Sequence, residues 1–117
     1  MVVAEIYKQA DGLTVGFSVD GHAGVGGHGF DIHCAGVSSL SQAAFLCIRD
    51  HLKREFTWDA AHGRLMMRLN SPPDALTEAV FQTMIIGMRE IEKLAPRLVK
   101  VTQKNFLGGS LTAKGKL

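Results

Sequence analysis

Twice along this chain, two short β-rich runs joined by a tight turn lead into a segment with a helical apolar stripe. That rhythm limits the folds open to it. Residues 2–8, VVAEIYK, and 13–19, LTVGFSV, are rich in β-branched and aromatic residues, and Ala10-Asp11-Gly12 between them supplies a hairpin turn. From about Ala35, the residues Val37, Leu40, Ala44, Cys47, Ile48 and His51 or Leu52 recur at three- and four-residue steps. Arg49, Asp50 and Lys53 fall off the stripe, so the pattern predicts an amphipathic helix ending near residues 53–55. Residues 55–60 and 64–70 then read as a second hairpin, turning at Ala61-His62-Gly63. Ser71-Pro72-Pro73 breaks the chain before a second stripe, Leu76, Val80, Met84, Met88 and Ile91, which runs to about Leu94 and is stopped by Pro96. Residues 98–102 read as a last strand. The order β-β-α-β-β-α-β predicts an α+β fold, a single domain with two helices packed on one face of a mostly antiparallel sheet. The domain is expected over 1–102. Residues 104–117, with three lysines, three glycines and no acid, place a basic, flexible tail at 103–117.

At 117 residues there is material for one core. A net charge of +2 is too small to imply a nucleic-acid partner. The N-terminus MVVAEIYK lacks the basic-then-apolar pattern of a secretory signal. No apolar run approaches the roughly 20 residues of a membrane span. A cytoplasmic protein with no membrane partner is expected, and there Cys34 and Cys47 are thiols, not a disulfide.

Chemistry concentrates in residues 21–40, GHAGVGGHGFDIHCAGVSSL, whose first fifteen positions hold five glycines, three histidines and a cysteine. Gly24-Val25-Gly26-Gly27-His28-Gly29 matches the dinucleotide motif G-x-G-x-x-G. The acidic partner expected about 20 positions on would be Asp50, which falls inside the predicted helix. Phe30-Asp31-Ile32 also separates the glycines from the helix start. His22, His28, His33 and Cys34 suggest zinc, with His28 and His33 loosely at ligand spacing. Adjacent His33 and Cys34 would point apart, however, and a glycine-rich loop holds ligands poorly. The third reading is a nucleophile. Cys34 lies just before or within the first helical turn, where the dipole favours a thiolate. His22 follows a strand end and can act as base and then acid. The glycines between them would permit a mobile cover. An inert cysteine at a strand–helix junction, with the glycines serving as a turn, explains the same residues.

The stretch resembles the signature of the ribosomal-processing cysteine proteases, the Prp family of bacteria. Its elements are Gly21-His22-Ala23, a short glycine-containing loop, and Gly29-Phe30-Asp31-Ile32-His33-Cys34-Ala35-Gly36-Val37-Ser38-Ser39-Leu40. The resemblance spans roughly residues 1–102 and implies Cys34 as nucleophile and His22 as general base and acid. It implies substrate-binding or site-supporting roles for Asp31, Ser38 and Ala35; separately, the free amides at the predicted helix start, those of Cys34 and Ala35, are expected to stabilise an oxyanion. Gly24, Gly26, Gly27, His28 and Gly29 become the mobile loop. The implied task is removal of an N-terminal extension from the twenty-seventh large-subunit ribosomal protein, by a homodimer; no cofactor or metal is expected, and ribosome contact is an alternative reading of the basic tail, whose simpler reading is a solvated end. The alternative is a non-catalytic, ribosome-associated module on the same scaffold that binds protein or RNA.

The chain departs from the pattern at His33, usually apolar, and at Gly36, often Ala, while His28 is a local addition. Gly36 would let substrate backbone or the loop approach closely, and His33 is expected to face solvent. Phe17, Phe30 and Ile32 are candidates for a substrate groove, each with a core position as the simpler reading. Cys47 is expected in the core. Trp58 is expected to pack with Met66 or Met67 on the second hairpin or at a dimer face. Gly87 permits close helix contact, and the all-apolar run 84–88 suggests a helix buried on more than one side.

Overall fold

The computed structural model describes residues 1–21, 32–61 and 63–106. Strands β1 (Val2–Lys8) and β2 (Thr14–Asp20) form the first hairpin. Gly12, at φ 91°, closes its turn by donating from its N–H to the Gln9 carbonyl at 2.9 Å. Helix α1 (Ile32–Leu46) runs on through a π-helical turn at Cys47–His51, and the left-handed Lys53 (φ 54°) ends the segment. Next come β3 (Phe56–Ala61), β4 (Arg64–Leu69), helix α2 (Ala75–Leu94) and β5 (Val99–Asn105).

The sheet order is β3-β4-β2-β1-β5, with every pairing antiparallel except β1 with β5. The expected α+β architecture is observed. Two boundaries differ. Helix α1 begins at Ile32, before the apolar stripe starts, because its opening residues do not depend on the core face. Strand β5 reaches Asn105, and the Phe106 N–H donates to the Lys8 carbonyl, so residues 103–106 of the expected tail join the fold. A ladder to β1 holds them there in spite of their polar sequence. Residues 107–117 lie outside the described residues.

Alternation decides which face of the sheet is covered. Val2, Ala4, Ile6, Phe17, Val19, Met67, Leu69, Val99 and Val101 form one buried cluster with Val37, Phe45, Ile48, Phe81, Met84 and Met88 of the helical layer. Phe17 meets Phe81 edge to face at 6.2 Å, so it is a core residue and not a groove wall. Trp58, 54 % exposed, stacks edge-on against Phe45 of α1 at 5.4 Å. Helix α2 starts sharply at Asp74, whose carboxylate accepts from the Leu76 and Thr77 amides in a capping box. Partial burial pushes this carboxyl up, but the Thr77 amide, the Arg54 guanidinium at 2.6 Å and the Leu76 amide outweigh it. Together they hold it below the usual carboxylate range. One turn on, Glu78 accepts from the Thr14 amide at 2.7 Å and from its hydroxyl at 3.1 Å, tying α2 to the start of β2.

Candidate active site

Cys34 sits in the first turn of α1, half-buried and packed against the core cluster. That turn carries no acidic side chain, so nothing on it offsets the positive end of the helix. Ser38 lies one turn on, at the i+4 position from Cys34, and its hydroxyl accepts from the Gln42 side chain at 2.9 Å. Ala35 is exposed and His33 half-buried. Ile32 is 78 % exposed, so it is not a core residue: the first turn of α1 points it away from the sheet and α2.

The position of α1 is set by α2. A Cβ on Gly36 would meet Ile91 Cδ1 at 2.9 Å, and one on Gly87 would meet Leu40 Cδ1 at 2.8 Å. The absence of both side chains lets the helices run close together and antiparallel. Gly36 thus faces a neighbouring helix, not a substrate. Its departure from the family pattern is a packing feature. Further along, Leu40, Ala43, Ala44, Cys47, Val80, Thr83 and Met84 line an apolar recess of about 260 Å³ between the helices. Cys47 is therefore half-buried in this recess and not fully in the core. Ile86 is 59 % exposed, so the apolar run 84–88 is not covered on every side.

Because the helices are antiparallel, the Cys34 end of α1 lies beside the C-terminal end of α2. The chain then passes into β5, where the Ala95 carbonyl accepts from the Leu98 and Val99 amides. The Leu98 carbonyl in turn accepts from the Val2 amide at 2.8 Å, so β1 starts at this same end. Strand β2 ends here too, since Asp20 pairs with Val3. Gly21 follows at φ 90°, its N–H donating to Gly63 at 3.0 Å, and a Cβ on it would run into the Met1 carbonyl. Both the backbone angle and the close approach demand glycine. In Gly21-His22, then, the glycine is an anchor at the exit of the sheet, not part of a hinge. His22, Gly24, Gly26, Gly27, His28, Gly29, Phe30 and Asp31 lie outside the described residues, as does His62. The described structure brings to one end of the sheet the point where the chain leaves for His22 and the helix start that carries Cys34. Among the described residues no three His, Cys, Asp or Glu side chains gather as metal ligands, and no helix is long and apolar enough to cross a membrane.

A sequence model of the cysteine protease Prp family matches residues 1–100. The chain belongs to the Prp family of cysteine proteases. Solved structures agree on the fold. The ribosomal processing protease Prp from S. aureus, in complex with a covalently linked product peptide, superposes with a TM-score of 0.79 at 23% identity, over 89% of this chain and 100% of that one. The same protease with a substrate peptide gives 0.79 at 22%, over 89% and 100% of the two chains. SMU.848 from Streptococcus mutans gives 0.72 at 24%, over 91% and 96%. No curated protein matches. As a Prp-family cysteine protease the chain requires a thiol nucleophile, and only two cysteines are present. Cys34 holds the helix start; Cys47 lies beyond the end of α1, in the apolar recess.

Sequence reasoning did not find Gly36 and Gly87 as a matched pair setting the helix that carries Cys34. The signal was there: each interrupts a helical stripe in which glycine costs about 1 kcal/mol relative to alanine.

Proposed function

We propose that this protein is a cytoplasmic endopeptidase that removes an N-terminal extension from the twenty-seventh large-subunit ribosomal protein during ribosome maturation. Cys34 is the nucleophile and His22 the general base and acid. The observation that carries this reading is Cys34 in the first turn of α1, at the end of the sheet from which the chain departs for His22, in a chain of the Prp family. The S. aureus protein with bound peptides supports a peptide as substrate.

In the proposed reaction His22 takes the Cys34 thiol proton as the sulfur adds to the scissile carbonyl carbon, and the positive end of α1 stabilises the oxyanion. Collapse breaks the C–N bond while His22 gives a proton to the departing amine, leaving a thioester. Water deprotonated by His22 then hydrolyses the thioester and restores the thiol. Asp31, Ala35 and Ser38 support or position the peptide. Residues 24–29 cover it. We take the active form to be a homodimer; the apolar recess between the helices and the exposed Leu76 and Ile86 support association through the helical layer.

The test is incubation with the extended ribosomal precursor and mass-spectrometric location of the new N-terminus. Cys34→Ala is expected to abolish cleavage with an unchanged circular dichroism spectrum. Full activity in that variant overturns the assignment. Wild-type rates after replacement of His22 would move the base to His28 or His33.

A further inference from the structure

No helix among the described residues covers the other face of the sheet, and its side chains follow from strand register. One row across it reads Thr57, Arg68, Gly16, Tyr7 and Lys104. The next reads Asp59, Met66, Ser18, Glu5 and Thr102, and the third Ala61, Arg64, Asp20, Val3 and Lys100. All the acids of this face fall in the second and third rows. The first row has two cations, no carboxylate, and a gap at Gly16 where a side chain is missing. Beyond β5, Phe106 turns inward across this row, and the Arg68 guanidinium lies over its ring at 5.6 Å.

The result is an open recess of about 430 Å³ lined by Tyr7, Arg64, Met66, Arg68, Lys104 and Phe106, together with Asn105. Among the described residues three cations and two aromatic rings line it, and no acid does. Arg64 makes a loose ion pair with Asp59 at 3.9 Å; Arg68 and Lys104 pair with no carboxylate among the described residues. Arg68 and Lys104 stand three strand spacings apart, about 14 Å. The recess occupies the end of the sheet remote from Cys34, and the opposite face.

We infer that this recess and its rim bind single-stranded nucleic acid, with Tyr7 and Phe106 as stacking platforms for bases and Arg64, Arg68 and Lys104 as phosphate contacts. Cations alone would suit any polyanion. The flat ring faces are what an acidic peptide does not need and an unstacked base does. Arg68 already lies over the Phe106 ring, and its planar guanidinium can take a base as a second partner. A single strand fits better than a duplex, because a base must leave its stack to enter the recess. The surface is independent of the proteolytic site, so a bound strand and a peptide substrate can be held together.

The test is fluorescence anisotropy with a labelled oligouridylate, titrated between about 50 and 200 mM salt. Three phosphate contacts predict a slope of about −2 in log K against log salt. Arg68→Glu with Lys104→Glu should weaken binding at least tenfold and flatten the slope. Tyr7→Ala, which removes a stacking face without changing charge, should weaken it roughly tenfold. Arg68→Gln with Lys104→Gln serves if charge reversal disturbs the melting temperature. Peptide cleavage should be unchanged in all of them. The inference is overturned if the wild type does not bind, or if oligoglutamate of matched charge competes equally. It is also overturned if binding survives these substitutions but is lost on removing residues 107–117. A concentration-dependent dimer that Arg68→Glu dissolves would assign the face to a second copy and overturn it too.

Discussion

Replacing Gly87 by alanine tests the contact that positions the helix bearing Cys34. In an isolated helix this change is favourable by about 1 kcal/mol. Here the new Cβ would stand 2.8 Å from Leu40 Cδ1, 3.1 Å from Cδ2 and 3.6 Å from Cγ. Ordinary carbon contacts begin near 3.5 Å, so Leu40 must withdraw by roughly 0.7 Å, and both of its methyls stand in the way. Overpacking of this kind costs about 1–3 kcal/mol. Gly87→Ala is therefore expected to lie between neutral and about 2 kcal/mol destabilising. In a Leu40→Ala background the obstructing carbons are gone and only the helix-propensity gain remains, so the same substitution should stabilise by about 1 kcal/mol. The coupling across this double-mutant cycle should be about 1–3 kcal/mol. Urea unfolding of the four proteins measures it, with the alkylation rate of Cys34 as a report on the position of α1. If Gly87→Ala stabilises both backgrounds equally, the close helix contact does not exist and the placement of Cys34 derived from it falls.

Gly16→Ala is a harsher change, because its Cβ would run into the Met67 carbonyl and stand 2.9 Å from Arg68 Cα; backbone cannot step aside as a side-chain tip can. A loss of about 3 kcal/mol or more is expected in thermal melts, and an unchanged melting temperature would contradict the β2–β4 register. Asp74→Ala should cost about 1–2 kcal/mol through loss of the helix cap. Because the Asp74 carboxyl titrates below its usual range when folded, its contribution is complete above about pH 4 and disappears as pH falls through the folded value. The wild-type and Ala stability curves should therefore converge in acid, whereas Asp74→Asn, which keeps a cap without a charge, should show no such convergence. Iodoacetamide at neutral pH is expected to label Cys34 well before Cys47, read by peptide mapping; equal, slow labelling would argue against a helix-activated thiolate.

The order of elements was legible because apolar residues repeat at period two in the strands and near 3.6 in the helices, and because Gly12, Gly63, Pro72, Pro73 and Pro96 mark the breaks. The helix start at Ile32 was not legible: the first turn buries little, so no stripe announces it. Nor was the length of β5. Its last residues, Gln103, Lys104 and Asn105, are polar, and what makes them strand is a partner nearly the whole described chain away. Of the site, Cys34 and its place at a helix start could be read directly, since the residue type and the junction are both local. The role of Gly36 could not, because Ile91, the side chain it accommodates, lies on the other helix. The basic face was present in the alternation of Arg64, Met66 and Arg68, but only register brings Tyr7 and Lys104 into the same row.

The parallel pairing of β1 with β5 has a consequence for synthesis. Residues 2–8 leave the ribosome long before their partners at 99–105. Until then β1 has an unsatisfied ladder on one side, and α2, which secures the helix carrying Cys34, lacks the strand that follows it. The end of the sheet beside Cys34 is assembled from segments far apart in the described chain. A nascent copy should therefore stay proteolytically silent until β5 clears the exit tunnel. Its exposed β1 edge makes that interval the period in which it is most prone to join a wrong strand.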